Sequence, residues 1–243
     1  MTSLPRRMGA LRTVVFDLDG TLADTAEDIG AAMNRALHAF DLPPLALATV
    51  RAAVGEGGTA LARTALAQSR ARVARARDAA DRASASDLVA RLHERYLAEY
   101  CRAPVARTRP YPGTQAALAR LAEAGVRLAV CTNKPQAPTL AILAALGLRA
   151  YFAAIVGVGP DGLRKPDPRH LRAAIERAGG SAGDAVLIGD TDHDAAAALA
   201  AGVPFLRVGF GYGPKPAPGE AVLHHFDELE AALAELELYA LTK

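Results

Sequence analysis

The sequence predicts an α/β fold, in which a doubly wound parallel sheet forms the core and an all-helical domain is inserted after the first strand. Between the first strand and residue 108 only helical periodicity is found, and beyond it strand patterns alternate with helix patterns. This alternation is typical of βαβ units and parallel strands. We therefore expect a catalytic core of residues 11–23 and 108–243 and a helical cap domain of residues 24–107.

Composition limits the kind of protein this can be. The chain has 243 residues, of which 51% are hydrophobic, so it can form a full core, and its net charge of +2 argues against a nucleic-acid surface. Its two cysteines lack the spacing of a metal site, which favours a reducing, cytoplasmic environment. No signal peptide or membrane-spanning run is recognisable, so we expect no membrane partner. The oligomeric state cannot be inferred.

The first strand is an apolar run that ends in two carboxylates, Asp17 and Asp19. Side chains two positions apart on extended backbone point the same way, so both can face one site. Two carboxylates this close repel each other unless a cation or a proton lies between them. Mg²⁺ binds one or two carboxylates together with phosphate oxygens. Taken alone, the pair is better explained as a strand that ends in a solvated acidic turn.

The inserted block contains several helical stretches, at 23–40, 45–54, 59–68, 69–83 and from 84 onward. The arginine-rich stretch 69–83 is interpreted as a solvated helix face, with an anion-binding surface as the alternative. Gly55, Glu56 and Gly57 form a loop whose glycines permit unusual backbone conformations. We expect this loop to contact the substrate, with Arg51 or Arg63 available for a substrate carboxylate, although an ordinary turn explains the pattern as well.

Polar motifs follow the later strands, which we predict over 126–131, 153–158, 185–188 and 204–208. Each motif has an ordinary explanation when it is taken alone, as a helix cap, a turn or a solvated loop. Because the carboxyl ends of parallel strands lie at one edge of the sheet, however, all of them are expected beside the first strand's carboxylates. The residues concerned are Thr132, Asn133, Lys165, Asp190 and Asp194.

Together these residues suit phosphoryl transfer. Asp17 is ionised at neutral pH and can attack phosphorus to form an aspartyl-phosphate. Asp19 would protonate the leaving alkoxide and later activate water. Thr132 and nearby backbone amides would bind phosphate oxygens, Asn133 is a further candidate for substrate binding, and Lys165 would neutralise charge. Mg²⁺ is the expected cofactor, and its candidate ligands are Asp17, Asp19, Asp190 and Asp194.

In order and separation, these motifs resemble those of the haloacid dehalogenase-like hydrolases that carry a helical cap after the first strand. The matching stretches are Asp17 to Thr21, Thr132, Lys165 to Pro168, and Gly189 to Asp194. The resemblance implies a Rossmann-like core, Mg²⁺, an aspartyl-phosphate and a small phosphorylated metabolite as substrate. Two alternatives remain open. A sugar phosphomutase would use the same nucleophile and acid, and a phosphoacceptor module would group similar residues without turnover.

Overall fold

The computed structural model describes residues 11–73, 82–103 and 105–241. The chain divides into two compact units, which we call the core unit (Met1–Ala23 and Pro110–Lys243) and the helical unit (Asp24–Arg109). The predicted lead-in at residues 1–10 lies outside the described residues, as does the greater part of the arginine-rich stretch. Within the described residues, no helix combines the length and the apolar character that crossing a membrane requires.

The helices and strands follow one another along the chain in this order: β1 Thr13–Phe16, β2 Ala23–Asp24, α1 Ala26–His38, α2 Leu47–Ala53, α3 Gly58–Val73, α4 Arg82–Arg102, β3 Arg109–Pro110, α5 Thr114–Glu123, β4 Arg127–Pro135, α6 Gln136–Ala145, β5 Ala154–Val158, α7 Pro168–Arg177, β6 Ala185–Gly189, α8 Asp192–Ala201, β7 Phe205–Val208, β8 Val222–Leu223 and α9 Leu229–Leu241.

Six strands form a parallel sheet in the order β5-β4-β1-β6-β7-β8. Strand β1 lies between β4 and β6, with Phe16 level with Val130 on one side and Ile188 on the other. The strand order reverses at β1, and in open α/β sheets ligands bind at the carboxyl ends of the strands at such a point. The end of β1, where Asp17 follows, is therefore the expected position of a site.

Both faces of this sheet are buried, because residues on β1 alternate between two apolar layers. Val15 packs in a cluster with Leu171 of α7 and Ala198 of α8. Phe16 points to the other face, where its ring lies 6.3 Å from that of Phe152 and 6.4 Å from that of Phe226. Strands covered on both faces form near-continuous apolar runs, as here. The predicted doubly wound parallel core is confirmed.

Several element boundaries differ from the prediction. Helix α1 begins at Ala26, not at residue 23, because Ala23–Asp24 pairs with Arg109–Pro110 as a two-stranded sheet. Strand β4 continues to Pro135, so that Thr132 and Asn133 lie within the strand. One helix, α3, replaces the two stretches predicted over 59–83 as far as the described residues extend. Strand β8 is a short addition that the pattern did not predict.

In the helical unit, Asp28 at the start of α1 binds the chain segment that follows α4. Its carboxylate accepts hydrogen bonds from the backbone N–H groups of Arg107 and Thr108 and from Thr108 Oγ1, at 2.7–3.1 Å. Burial opposes the charged form, but these hydrogen bonds outweigh it and lower the pKa of Asp28. The two ends of the unit's chain are therefore held together by one buried carboxylate.

Candidate active site

The carboxyl ends of the central strands bring together most of the residues that the sequence singled out. Lys165 Nζ lies 2.9 Å from Asp17 Oδ1 and 2.5 Å from Asp194 Oδ1. Asp190 follows β6 directly, and its carboxylate lies near those of Asp17 and Asp194. All four side chains are buried. The register of the sheet explains this grouping, because Asp17 and Asp190 follow neighbouring parallel strands whose ends differ by one residue.

Asp17, Asp190 and Asp194 each offer a carboxylate oxygen within 4.8 Å of the other two; we call these residues the carboxylate cluster. Burial raises the pKa of Asp17 to about 6, against the attraction of Lys165 and with the repulsion of Asp194. Burial and the charges of Asp17 and Asp194 raise the pKa of Asp190 to about 7. The cluster therefore carries more negative charge than the Lys165 ammonium balances.

The carboxylate cluster fits a hard divalent cation such as Mg²⁺. Asp17 Oδ1 is buried and, among the described residues, accepts no hydrogen bond, although it lies beside the Lys165 ammonium. An oxygen in this state can still accept a metal. The negative charge of three carboxylates exceeds the single positive charge of Lys165, and Mg²⁺ prefers oxygen ligands in proteins. Asp17, Asp190 and Asp194 would hold the ion.

Asp190 is oriented by two loops through both of its oxygens. Thr21 Oγ1 donates to Oδ1 at 3.1 Å, and the N–H groups of Tyr212 and Gly213 donate to Oδ2 at 2.8 and 3.1 Å. A Cβ added at Gly20 would overlap Oδ2, and one at Gly213 would overlap the Asp190 carbonyl. The glycines thus permit a close approach of backbone to this carboxylate.

Asp194 and Lys165 are held by local structure. Thr191 is the N-cap of α8, and its Oγ1 and N–H donate to Asp194 Oδ2 at 2.6 and 3.0 Å in a capping box. Only Oδ1 of Asp194 is thereby left for Lys165 and a metal.

Although burial opposes the charged ammonium, the charges of Asp17 and Asp194 outweigh it and raise the pKa of Lys165.

The side chain of Asn133 contacts the main chain of Lys165. Its amide nitrogen donates to the carbonyl of Lys165 at 3.0 Å, and its amide oxygen accepts from the Lys165 N–H at 2.8 Å. This reciprocal pair fixes the main chain of Lys165, and the predicted contact of Asn133 with substrate stays a prediction. Thr132 is buried, with Oγ1 accepting from the N–H of Lys134 and its carbonyl beside His170 Nε2, so its phosphate contact stays a prediction.

The carboxylate of Asp19 lies outside the carboxylate cluster, and its place among the candidate metal ligands stays a prediction. Both of its oxygens accept hydrogen bonds from Lys134 Nζ at 3.0 Å. The reason is that the chain turns sharply after Leu18, whose carbonyl accepts from the N–H groups of Leu22 and Ala23. Sequence reasoning gave Lys134 no role. The signal available was a lysine two positions beyond Thr132 on the same strand face.

A second residue that the sequence did not reveal is Arg207 on β7. It is 4% exposed, and it donates to the Asp190 carbonyl at 2.7 Å, to Asp192 Oδ1 at 3.0 Å and to Glu220 Oε1 at 2.8 Å. It thereby fixes the chain at the end of β6. An arginine inside an otherwise apolar strand was the available signal, because such a residue is buried only when paired.

The predicted substrate loop, Gly55, Glu56 and Gly57, lies in the helical unit between α2 and α3. Both outer glycines have positive φ, 104° and 92°, which side chains rarely adopt. Glu56 is exposed. A tight turn accounts for these glycines by itself, and the contact of this loop with substrate stays a prediction.

Comparisons with known proteins agree with this geometry. A family model described as haloacid dehalogenase-like hydrolase matches residues 11–202. A phosphoglycolate phosphatase of Mesorhizobium japonicum is 42% identical over 225 residues, 91% of this chain and 94% of the relative. One of Rhodospirillum rubrum is 41% identical, over 89% of this chain and 87% of the relative.

A solved structure, described as a predicted phosphoglycolate phosphatase from Haemophilus somnus, has a TM-score of 0.80 at 25% identity, and covers 92% of this chain and 98% of that chain. The fold, the order of the motifs and the family model therefore lead to one conclusion. The chain belongs to the haloacid dehalogenase-like hydrolases.

Proposed function

We propose that this enzyme is a Mg²⁺-dependent phosphatase that hydrolyses a small phosphomonoester, 2-phosphoglycolate, to glycolate and phosphate through an aspartyl-phosphate on Asp17. The observation that carries the proposal is the position of Asp17, a buried carboxylate beside Lys165 and within the carboxylate cluster. The names of the relatives from Mesorhizobium japonicum and Rhodospirillum rubrum support the choice of substrate.

In this mechanism the protein's own groups carry out two displacements. An oxygen of Asp17 attacks phosphorus, and the bond to the leaving alkoxide breaks while Asp19 gives that alkoxide a proton. Asp19 then takes a proton from a water that attacks the aspartyl-phosphate, which releases phosphate and restores Asp17. Lys165 lies next to the nucleophile and compensates the negative charge that the phosphoryl group brings. Mg²⁺, held by the carboxylate cluster, would supply further positive charge for the same purpose.

Magnitudes show why several groups must act together. Uncatalysed hydrolysis of phosphate monoesters is so slow that a barrier of about 20 kcal/mol must be removed. General acid–base catalysis by Asp19 contributes about 3–5 kcal/mol, and positioning contributes about 7–11 kcal/mol. The remainder falls to charge compensation by Lys165 and a metal. A site with only one of these features would not support turnover.

The test is release of inorganic phosphate from 2-phosphoglycolate, measured with Mg²⁺ and after treatment with EDTA. We expect multiple turnover with Mg²⁺, loss of activity with EDTA, and recovery on readdition. Asp17→Asn should abolish turnover and leave the circular dichroism spectrum unchanged. Full turnover by Asp17→Asn would refute the proposal. Transfer of one phosphoryl group to each protein molecule, without further turnover, would indicate a phosphoacceptor module.

A panel of small phosphoesters, run in parallel, tests the substrate. A higher kcat/KM for another ester would indicate that the enzyme is a phosphatase whose substrate is a different small metabolite. Movement of phosphate between positions of a sugar, without release of inorganic phosphate, would indicate a sugar phosphomutase of the same capped family.

A further inference from the structure

Lys134 is a buried cation to which the mechanism above assigns no task. It is 6% exposed, and its ammonium donates to both oxygens of Asp19 at 3.0 Å. Both residues lie in the core unit, Lys134 on β4 and Asp19 in the turn after β1. A buried ammonium is costly unless an anion faces it, so Lys134 needs a negative partner throughout the reaction.

Asp19 cannot be that partner at every stage, if the proposed function on which this inference rests is correct. To give the leaving alkoxide a proton, Asp19 must contact that oxygen, and an ammonium that binds both carboxylate oxygens competes with this contact. A substrate that carries its own carboxylate beside the leaving oxygen would give Lys134 a second anion. Its hold on Asp19 would then weaken at the moment when Asp19 acts.

We propose that Lys134 binds the carboxylate of the substrate and so selects phosphorylated acids whose carboxylate lies one carbon from the ester oxygen. Nζ lies 3.0 Å from the Asp19 oxygens. Asp19 must lie about 3 Å from the leaving oxygen to transfer a proton, so Nζ falls within about 6 Å of that oxygen. The carboxylate of 2-phosphoglycolate occupies this interval. A neutral hydroxyl in the same place offers no charge and leaves Lys134 bound to Asp19.

Arg51 and Arg63, the arginines that the sequence offered for a substrate carboxylate, are weaker candidates. Arg51 already forms an ion pair with Asp24 at 3.2 Å, and its side chain is 45% exposed. Arg63 is exposed. Ion pairs at such exposed positions contribute little, because solvent screens them, whereas the buried ammonium of Lys134 is screened much less.

The test compares two substrates of equal length, 2-phosphoglycolate and 2-hydroxyethyl phosphate, on the wild type and on Lys134→Met. We expect the wild type to prefer the acid. Lys134→Met should lose about 10- to 100-fold in kcat/KM for the acid, the value of a charge-assisted hydrogen bond, and much less for the neutral ester. The loss should lie mainly in KM. Glycolate should inhibit the wild type competitively and Lys134→Met far less, which measures carboxylate binding without turnover.

Lys215→Met is the matched control, because it removes the same side chain at an exposed position and should leave both kcat/KM values within about twofold. The ratio of the two substrates on one preparation cancels any loss of folded protein. If Lys134→Met does not fold, Lys134→Arg, which keeps the charge, is compared instead. It should retain part of the preference and the inhibition by glycolate.

Equal losses for the two substrates, or unchanged inhibition by glycolate, would show that Lys134 has only a structural role. A preference for the acid that disappears in Arg51→Met or Arg63→Met, but persists in Lys134→Met, would also overturn the inference. In both cases the proposed function would stand. No phosphate release from any ester by the wild type would instead refute the proposed function itself.

Discussion

Replacing Asp17 with Asn should stabilise the metal-free protein at neutral pH while it abolishes activity. The carboxylate cluster holds three carboxylates against the single ammonium of Lys165. Asn has nearly the shape of the protonated acid but carries no charge. The substitution therefore removes repulsion from the folded state and changes the unfolded state little.

The raised pKa of Asp17 gives the size of this effect. A change from 3.8 to about 6 corresponds to about 3 kcal/mol of destabilisation at a pH above both values, at 1.36 kcal/mol per pH unit. The side chain is almost fully buried, so solvent screening removes little of it. An amide that is imperfectly hydrogen-bonded offsets part of the gain. We expect a net stabilisation of about 1–3 kcal/mol.

The assay is thermal unfolding in EDTA at pH 8, followed by circular dichroism. In a chain of this length each kcal/mol raises Tm by about 2–4 °C, so the increase is measurable. Asp87→Asn is the control, because this carboxylate is 71% exposed and should change stability by no more than about 0.5 kcal/mol. Mg²⁺ should raise the Tm of the wild type more than that of Asp17→Asn.

The pH dependence of the free energy of unfolding independently checks that the Asp17 charge destabilises the folded protein. The folded state binds the Asp17 proton more tightly than the unfolded state does, so the wild type loses stability as the pH rises from about 4 to about 6. Above that range this contribution is constant, and Asp17→Asn should lack it. A variant that is less stable than the wild type in EDTA at pH 8, or equal in stability across this range, would refute the electrostatic reasoning.

Three further outcomes follow from particular contacts. Arg207→Met should weaken Mn²⁺ binding by about 10- to 100-fold in an electron paramagnetic resonance titration, because Arg207 fixes the chain at the cluster. Asp167→Ala should lower the free energy of unfolding in urea by about 1 kcal/mol, since Asp167 caps α7 by accepting from the Arg169 N–H at 2.9 Å; Asp167→Asn should retain most of it. Asp28→Ala should lower the free energy of unfolding by about 1–3 kcal/mol and speed hydrogen exchange at residues 107–108. Because the hydrogen bonds lower the pKa of Asp28, this loss of stability should become smaller as the pH falls below the unfolded pKa of 3.8.

The parallel sheet and the edge that carries the carboxylates could be predicted because both follow from local pattern. The apolar run before Asp17 and the run before Asp190 are each long enough for one strand, and each ends in polar residues. Placing their ends side by side needs only the rule that parallel strands end at one edge. Lys165 could be placed there as well, but only because three other motifs already defined the site.

Pairings between side chains could not be predicted in the same way. That Asn133 binds the backbone of Lys165, and that Lys134 binds Asp19, depends on how far β4 extends and on how the loops pack against it. Apolar periodicity marks the buried part of a strand and not its last, polar residues. Arg207 was missed for a related reason, since a single charged residue in a strand does not identify its partners.

The same contacts explain how the fold can keep like charges together. Three carboxylates within 4.8 Å would separate if their side chains were free to rotate. Asp190 is held by hydrogen bonds at both oxygens, and Asp194 by the capping box of α8. Asp17 follows directly from the central strand, where its N–H donates to the Ile188 carbonyl. Because the contacts that hold Asp190 and Asp194 in place include hydrogen bonds that do not involve Asp17, removing the Asp17 charge relieves repulsion without displacing the other two carboxylates. Stability should therefore rise and activity fall in the same variant.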